Sequence, residues 1–401
     1  MKKSNHPRVP LGWLYAFAVY TIGVFLKSLF KVKIDKEEIK DLKGPMIVIS
    51  NHQSNFDFVI TAFSMWPIKL NFLVSSYYLN SNLLGFFLKL VGAIPKRQFI
   101  PDSPAILSAY RAILNNQSII IFPEGQVEYY GATVTVDPNI AKLIKRFRVP
   151  VVNIKLRGGY LTSSKWNNRN YPARREVTCE LLLSKEQLQS MSEEEIFEVV
   201  SKGLSYDEFS WQRERMIPSK KKRSAEGLEN ILFRCPVCKK DFTITAKKNI
   251  LSCTACGYTV KLNKFGFFEA VNDKEPIFES TSDWFRMQQK ELRNEIPGRL
   301  PFITNCNLMS TKRGRLGYVM RGKGVLTLKE DGFLFEGIKD NIPYSNLFSV
   351  KTQSSVTHDS GVWGIDFIGE DCNYAFCPDD PRKTILMVEI YQILRDRLEG
   401  E

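Results

Sequence analysis

The sequence predicts an α/β protein: a mixed sheet flanked by helices and preceded by an apolar helix, then a small four-cysteine ribbon and a β-rich end domain closed by one helix. Three observations carry this expectation. Short apolar runs alternate with helix-like patterns as far as residue 216, two Cys-x2-Cys pairs follow, and beyond Leu300 the hydrophobic period becomes two. The divisions expected are 1–35 (membrane-associated helix), 36–216 (α/β domain), 217–230 (basic linker), 231–270 (cysteine ribbon), 271–299 (helical connector) and 300–401 (β-rich domain). A chain of 401 residues has room for two or three cores of this kind.

Leu11 to Leu26 is apolar, aromatic-rich and uncharged, with Lys2, Lys3 and Arg8 before it and Lys27, Lys31 and Lys33 after. Sixteen such residues fall short of the ~20 that cross a bilayer squarely. Trp13, Tyr15 and Tyr20 are types that favour the membrane interface. The reading is a helix embedded in one leaflet, its ends held by anionic headgroups. A single span and a buried core helix are the alternatives. No small-residue cleavage site follows, so the pattern is not that of a cleaved signal peptide.

Next comes the apolar run Met46–Ile49, then Asn51-His52-Gln53-Ser54-Asn55-Phe56-Asp57. A histidine five residues ahead of an aspartate at the mouth of a buried strand is a candidate base with its orienting carboxylate. Ser54-x-x-Asp57 also reads as a capping box that opens a helix at Ser54. On one continuous helix the two side chains would stand about 140° apart, so His52 belongs in the loop before it. The plainer reading is a polar loop histidine and a first-turn aspartate favoured by the helix dipole.

Further strands are expected at Ser118–Phe122, Val149–Leu156 and Val177–Leu183, beside Met46–Ser50. Leu70 to Leu90 is crowded with Phe, Leu and Tyr, either core or an apolar channel or membrane-facing lip. Asp102-Ser103-Pro104 starts a helix with Ser103 as N-cap, its apolar face being Ile106, Tyr110, Ile113 and Leu114. Ser192 before Glu193, Glu194 and Glu195 starts another.

At Phe122-Pro123-Glu124-Gly125 the sequence resembles the glycerolipid acyltransferases, the lysophosphatidate acyltransferase-like enzymes. Asn51-His52-x4-Asp57 is similar to their first motif, Gly92-Ala93-Ile94-Pro95-Lys96-Arg97 to the second, Phe122–Gly125 to the third and Val149–Val152 to the fourth, in that order. The resemblance covers roughly the first half of the chain. It implies the family's α/β fold and O-acyl transfer from acyl-CoA or acyl-carrier protein to a lysophospholipid hydroxyl. In it His52 is the general base, Asp57 orients the imidazole, Glu124 and Gly125 place the acceptor, and Lys96 and Arg97 pair with its phosphate. Relatives commonly continue the third motif with Thr-Arg, whereas this chain continues Gln126-Val127-Glu128. Arg157 is a substitute for that arginine, or else a plain loop residue.

Ser219-Lys220-Lys221-Lys222-Arg223-Ser224 is a charged run, read as a solvated linker. Cys235-Pro-Val-Cys238 and Cys253-Thr-Ala-Cys256 supply the four thiolates of a tetrahedral structural site, zinc by preference, with iron using the same ligands. Cys179, Cys306, Cys372 and Cys377 read as small core residues. Strand-like Phe242–Ala246 and Tyr258–Leu262 surround the pairs, and Asp283–Ile296 is a charged amphipathic helix. Val325–Glu330, Asp331-Gly332 and Phe333–Gly337 make a hairpin. Val362–Ile368 and Asn373–Phe376 pair across Gly369-Glu370-Asp371, and Thr384–Leu398 is a closing helix with Leu386, Ile390, Ile393 and Leu394 apolar. Strands capped by such a helix resemble a pleckstrin-homology or GRAM-type barrel in architecture.

A formal net charge of +13 points to an anionic partner surface. The reading favoured is a membrane-associated acyltransferase at the cytoplasmic face, partnered by membrane lipids and the acyl donor, with no nucleic acid expected. A zinc-ribbon nucleic-acid-binding protein and an inactive lipid-binding scaffold are the competing readings. The first rival leaves the order of the His-x4-Asp and Phe-Pro-Glu-Gly motifs unexplained.

Overall fold

A computed structural model describes residues 9–167, 169–271, 276–312, 314–359, 363–369 and 372–400. Lys2, Lys3 and Arg8 before the first helix, and Val362, Glu370 and Asp371 in the last strand pair, lie outside the described residues. The chain divides into two compact units, Met1–Lys221 and Lys222–Glu401.

The first unit runs α1 (Gly12–Leu29), β1 (Lys33–Asp35), β2 (Ile47–Ser50), α2 (Asp57–Ser64), β3 (Leu70–Ser75), α3 (Ser76–Leu79), α4 (Asn82–Leu90), β4 (Ile94–Lys96), α5 (Ser103–Leu114) and β5 (Ser118–Ile121). It continues α6 (Asn139–Phe147), β6 (Val151–Arg157), α7 (Gly159–Thr162), β7 (Glu176–Leu183), α8 (Gln187–Ser190), α9 (Glu193–Leu204) and α10 (Glu208–Arg215). Its seven strands lie in the order β1-β7-β6-β2-β5-β3-β4. β7 is antiparallel to β6 and parallel to β1, while β6, β2, β5, β3 and β4 are mutually parallel, so the sheet is mixed.

The central strands β2 and β5 carry unbroken runs of isoleucine and valine because both faces are covered. Met46, Val48, Ile120, Val152 and Ile154 face a core shared with Tyr15, Val19, Leu26 and Phe30 from α1 and its end and Val59 and Ile60 of α2. Ile47, Ile49, Ile119, Ile121 and Val151 face the opposite core with α5, α6 and α9. A strand side chain alternates faces at each residue, and that period of two divides each run between the layers. α1 is therefore built into the fold by one face, while Trp13, Phe17, Tyr20 and Phe25 remain exposed on the other.

Three local expectations are corrected. α2 begins at Asp57 rather than Ser54, with no side-chain cap at its N-terminus, because the Ser54 hydroxyl is spent on the Asp57 carboxylate. Asp102, not Ser103, caps α5 and accepts from the Ala105 amide. That helix buries Ala105, Ala109, Ala112 and Ile113 and leaves Leu114 exposed, since a face of alanines lets it approach the sheet closely. Ser192 and Glu195 form a complete capping box at α9.

The second unit opens with β8 (Ile244–Lys247), β9 (Ile250–Cys253), β10 (Thr259–Leu262) and β11 (Phe268–Ala270), an antiparallel meander ordered β11-β10-β9-β8. α11 (Thr281–Arg299) packs Trp284 beside it, with Nε1 donating to the Arg234 carbonyl at 2.8 Å. The buried Arg234 guanidinium is held by Asp241, Glu291 and Glu295. Then follow β12 (Phe302–Thr311), β13 (Tyr318–Lys329), β14 (Gly332–Lys339), β15 (Ile342–Ser349), β16 (Thr357–Asp359), β17 (Gly364–Ile368), β18 (Asn373–Pro378) and α12 (Lys383–Gly400). These strands form one antiparallel sheet, β15-β14-β13-β12-β18-β17-β16, open at β15 and β16. The basic run before the unit is not wholly solvated. Lys220 to Lys222 are exposed, but Arg223 and Ser224 are buried, Arg223 Nε donating to the Lys264 carbonyl at 3.1 Å.

Candidate active site

Parallel strands place their carboxyl ends on one edge of the sheet, and that edge gathers the motifs. β2 and β5 are neighbours, so the loop after Ser50 and the turn after Ile121 meet there. His52 lies in that loop, off any helix, and its ring stacks on Phe122 with centroids 4.4 Å apart. Its Nδ1 is 3.0 Å from Asp57 Oδ2.

Asp57 is folded back on the loop before it. Oδ2 accepts from the amides of Gln53 (2.6 Å) and Ser54 (2.7 Å), and Oδ1 accepts from the Ser54 hydroxyl at 2.6 Å. The aspartate side chain is 1% exposed and the histidine 20%, so the pair meets solvent only at the imidazole. With Nδ1 turned to a carboxylate, the imidazole keeps Nε2 as its proton-accepting atom.

Glu124 ties the two loops together: Oε1 accepts from the His52 amide (2.9 Å) and Oε2 from the Val134 amide (3.1 Å). Burial pushes its carboxyl up to about 8, against the lowering effect of the His52 and Val134 amides, and the Asp57 charge adds to the rise. Gly125 has φ +67°, and a Cβ there would lie 3.0 Å from the Phe99 ring, so glycine is favoured on both counts. The Gly125 amide donates to the Phe122 carbonyl at 3.0 Å, so it is engaged within its own turn. Gln98 Nε2 in turn donates to the Gly125 carbonyl at 2.8 Å.

The cations expected at the site are more dispersed. Lys96 ends β4, three strands from β2 and therefore about 14 Å along the edge. Burial lowers its ammonium, opposed by Asp137 and Asp102. Arg97 is committed to the turn that opens α5: its amide donates to Asp102 at 2.7 Å and Nη2 to the Pro101 carbonyl at 3.2 Å. Arg157, at the end of β6, donates from Nη1 to the Thr178 hydroxyl at 2.8 Å. The structure thus brings together His52, Asp57 and Glu124, and spreads Lys96, Arg97 and Arg157 along the rest of the edge.

Sequence reasoning missed the layer beneath the imidazole. Glu208 accepts from Gln53 Nε2 (3.0 Å), Tyr206 Oη (2.7 Å) and the Gly158 and Leu161 amides. Glu128 donates its amide to the His52 carbonyl (2.8 Å) and accepts from the Gly131 amide (2.7 Å). Burial raises both carboxyls, Glu128 well above the usual range with Glu208 adding to it. Arg175, just before β7, donates to the Ser54 hydroxyl at 3.0 Å. Only Glu128 carried a sequence signal, as a departure from the third motif.

In the second unit the Sγ atoms of Cys235, Cys238, Cys253 and Cys256 all lie within 4.8 Å of one another. Two of the separations, Cys235–Cys256 and Cys238–Cys253, are 3.7 Å. Four sulfurs at ~2.3 Å from a tetrahedral ion are about 3.8 Å apart, so the donor set fits a structural metal. Cys179, Cys306 and Cys377 are buried small residues, whereas Cys372 is only half-buried and not the core residue expected.

Residues 31–157 match the family model described as Acyltransferase. That span contains His52, Asp57, Lys96, Arg97, Glu124, Gly125 and Arg157. Among curated proteins no match was found. Among solved structures the chain is similar to the 1-acyl-sn-glycerophosphate (LPA) acyltransferase PlsC from Thermotoga maritima. The likeness is 18% in identity with a TM-score of 0.40, over 47% of this chain and 77% of that one.

Proposed function

We propose, on the premise that residues 31–157 form an acyltransferase-family domain, that this chain moves a fatty acyl group from acyl-CoA or acyl-carrier protein to the hydroxyl of a lysophospholipid of the 1-acylglycerol-3-phosphate type. The observation that carries the proposal is the meeting of two distant motifs: His52 Nδ1 is 3.0 Å from Asp57 while the same ring stacks on Phe122 beside Glu124. His52 Nε2 takes the acceptor's proton as its oxygen attacks the thioester carbonyl carbon. The tetrahedral adduct collapses, the C–S bond breaks, and the thiolate leaves with the proton from the imidazolium. An alcohol is a poor nucleophile at neutral pH, and a positioned base supplies ~10²–10⁴-fold. Asp57 fixes the imidazole and opposes the charge that develops on it.

Membrane attachment is part of the same reading. Residues 9–34 and 66–101 contain no Asp or Glu, and α1 is long and apolar enough to cross a bilayer. Because its inner face is core, we place α1 in one leaflet of an anionic membrane at the cytoplasmic face, its exposed aromatics among the lipids. In the second unit we read the four cysteines as a zinc ribbon and β12–β18 with α12 as a PH/GRAM-like module. Support for the latter is the antiparallel order closed by a C-terminal helix.

The test is to incubate the purified protein in detergent with labelled acyl-CoA and a panel of lysolipids, reading products by mass spectrometry. His52→Ala is expected to lose ~10²–10⁴-fold in turnover with folding and vesicle binding intact. Transfer to no hydroxyl by the intact protein, or full activity in His52→Ala, refutes the proposal.

A further inference from the structure

Arg175 is buried to 3% of its side chain, yet only part of its guanidinium is satisfied. Nη1 donates to the Ser54 hydroxyl at 3.0 Å and stands 3.9 Å from Asp57 Oδ1, while Nε and Nη2 have no hydrogen-bond partner among the described residues. The group lies over the Phe30 ring, 3.9 Å from its centroid, with Phe56 at 5.9 Å. Cation–π attraction of this kind compensates only partly for lost hydration. A buried cation with idle donors is a poor device for stability, because its desolvation exceeds what such a pairing returns.

Its surroundings explain it better. Asp57 and the carboxyls of Glu124, Glu128 and Glu208 are all buried behind the imidazole. The Ser54 hydroxyl has one proton, given to Asp57 Oδ1, and lone pairs that receive Arg175. Arg175, Ser54, Asp57 and His52 therefore form one hydrogen-bonded chain that ends at the imidazole. The Arg175 amide also donates to the Phe30 carbonyl (3.0 Å), and Phe30 caps the end of α1, so the guanidinium is fixed by backbone and ring together.

We propose that Arg175 is a positioning residue of the acyl-transfer site: acting through Ser54, it holds the Asp57 carboxylate in the rotamer that aims His52 Nε2 outward. The inference rests on the function proposed above. Charged and titratable groups facing this chain are Glu124 and Glu128 from the third motif, Glu208 and Tyr206 from the start of α10, and Arg157 beyond Tyr206. Arg175 is the cation among them nearest to Asp57 whose contacts reach the dyad.

The experiment compares pH profiles of kcat/KM for the full chain and for Arg175→Met, Arg175→Lys and Ser54→Ala, with His52→Ala as control. Without the guanidinium the imidazole protonates more readily beside an uncompensated carboxylate. Arg175→Met is expected to move the acid limb up by about one pH unit and to lower kcat at least tenfold, with KM for the acyl donor little changed. Arg175→Lys should restore most of both. Ser54→Ala, which removes only a hydroxyl, should move the limb in the same direction by less, and it decides the matter if Arg175→Met fails to fold. An unmoved acid limb in Arg175→Met, or in Ser54→Ala where the former does not fold, overturns the inference provided His52→Ala is inactive. Activity in His52→Ala instead strikes the function itself.

Discussion

At the scale of single residues, Glu124, Glu128 and Glu208 behind the imidazole hold their protons to higher pH in the folded chain than in the unfolded one. Burial raises Glu128 well above its ordinary 4.5, and one of its oxygens, Oε1, has no partner. The folded state therefore keeps a proton that the unfolded state gives up. That contribution to stability is complete below about pH 4.5 and is lost as the pH climbs toward the folded value. Glu128→Gln removes the ionisation while its amide oxygen can still accept from the Gly131 amide. Its melting temperature should fall less than that of the parent protein between about pH 5 and about pH 9. Parallel curves in thermal melts would discard this account. Glu124 and Glu208, raised for the same reason, leave a residual slope in the variant.

At the scale of elements, α4 is the anomaly. Apart from Asn82 and Lys89 it is apolar, yet Gly85 is its one buried residue, and Leu83 and Phe86 are 71% and 56% exposed. The Leu11 amide donates to the Leu90 carbonyl, so the start of α1 meets the end of α4. An apolar surface this large, rimmed by lysines and lacking acid, fits an anionic bilayer. Leu83→Ser with Phe87→Ser should reduce binding to anionic vesicles by more than about tenfold in a flotation assay. Transfer to a short-chain acceptor dispersed in detergent should persist. Unchanged flotation would leave α1 as the sole anchor.

At the scale of the whole molecule, the cysteine ribbon and the α/β unit depend on different forces. The ribbon's strands span three or four residues each, and a metal on the four cysteines would tie their turns together. Native mass spectrometry should find one zinc per chain, and a thiol-competent chelator should lower the melting temperature of the second unit by roughly 10 °C or more. Cys253→Ser should do the same without chelator. A metal-free chain with unaltered melting would remove the site.

Much of this was readable along the chain. The runs Ile47–Ile49 and Ile119–Ile121 announced buried strands because parallel strands covered on both faces read as near-continuous apolar runs. His52, Asp57 and the four cysteines were visible in residue type and local spacing, and Glu124 through the resemblance of Phe122–Gly125 to a family motif. β3 and β4 were not: they sit inside an apolar stretch whose period did not separate strand from helix. Nor could any local pattern place Arg175 under Ser54, 121 residues away, or turn Arg97 into the cap of α5 rather than toward the dyad. Sequence by itself determined which groups can accept a proton, bind metal or meet lipid, since those are properties of side chains and near neighbours. Tertiary structure alone decided which of them share a dry, low-dielectric space, since strand order along the sheet edge and burial set the distances over which their charges act.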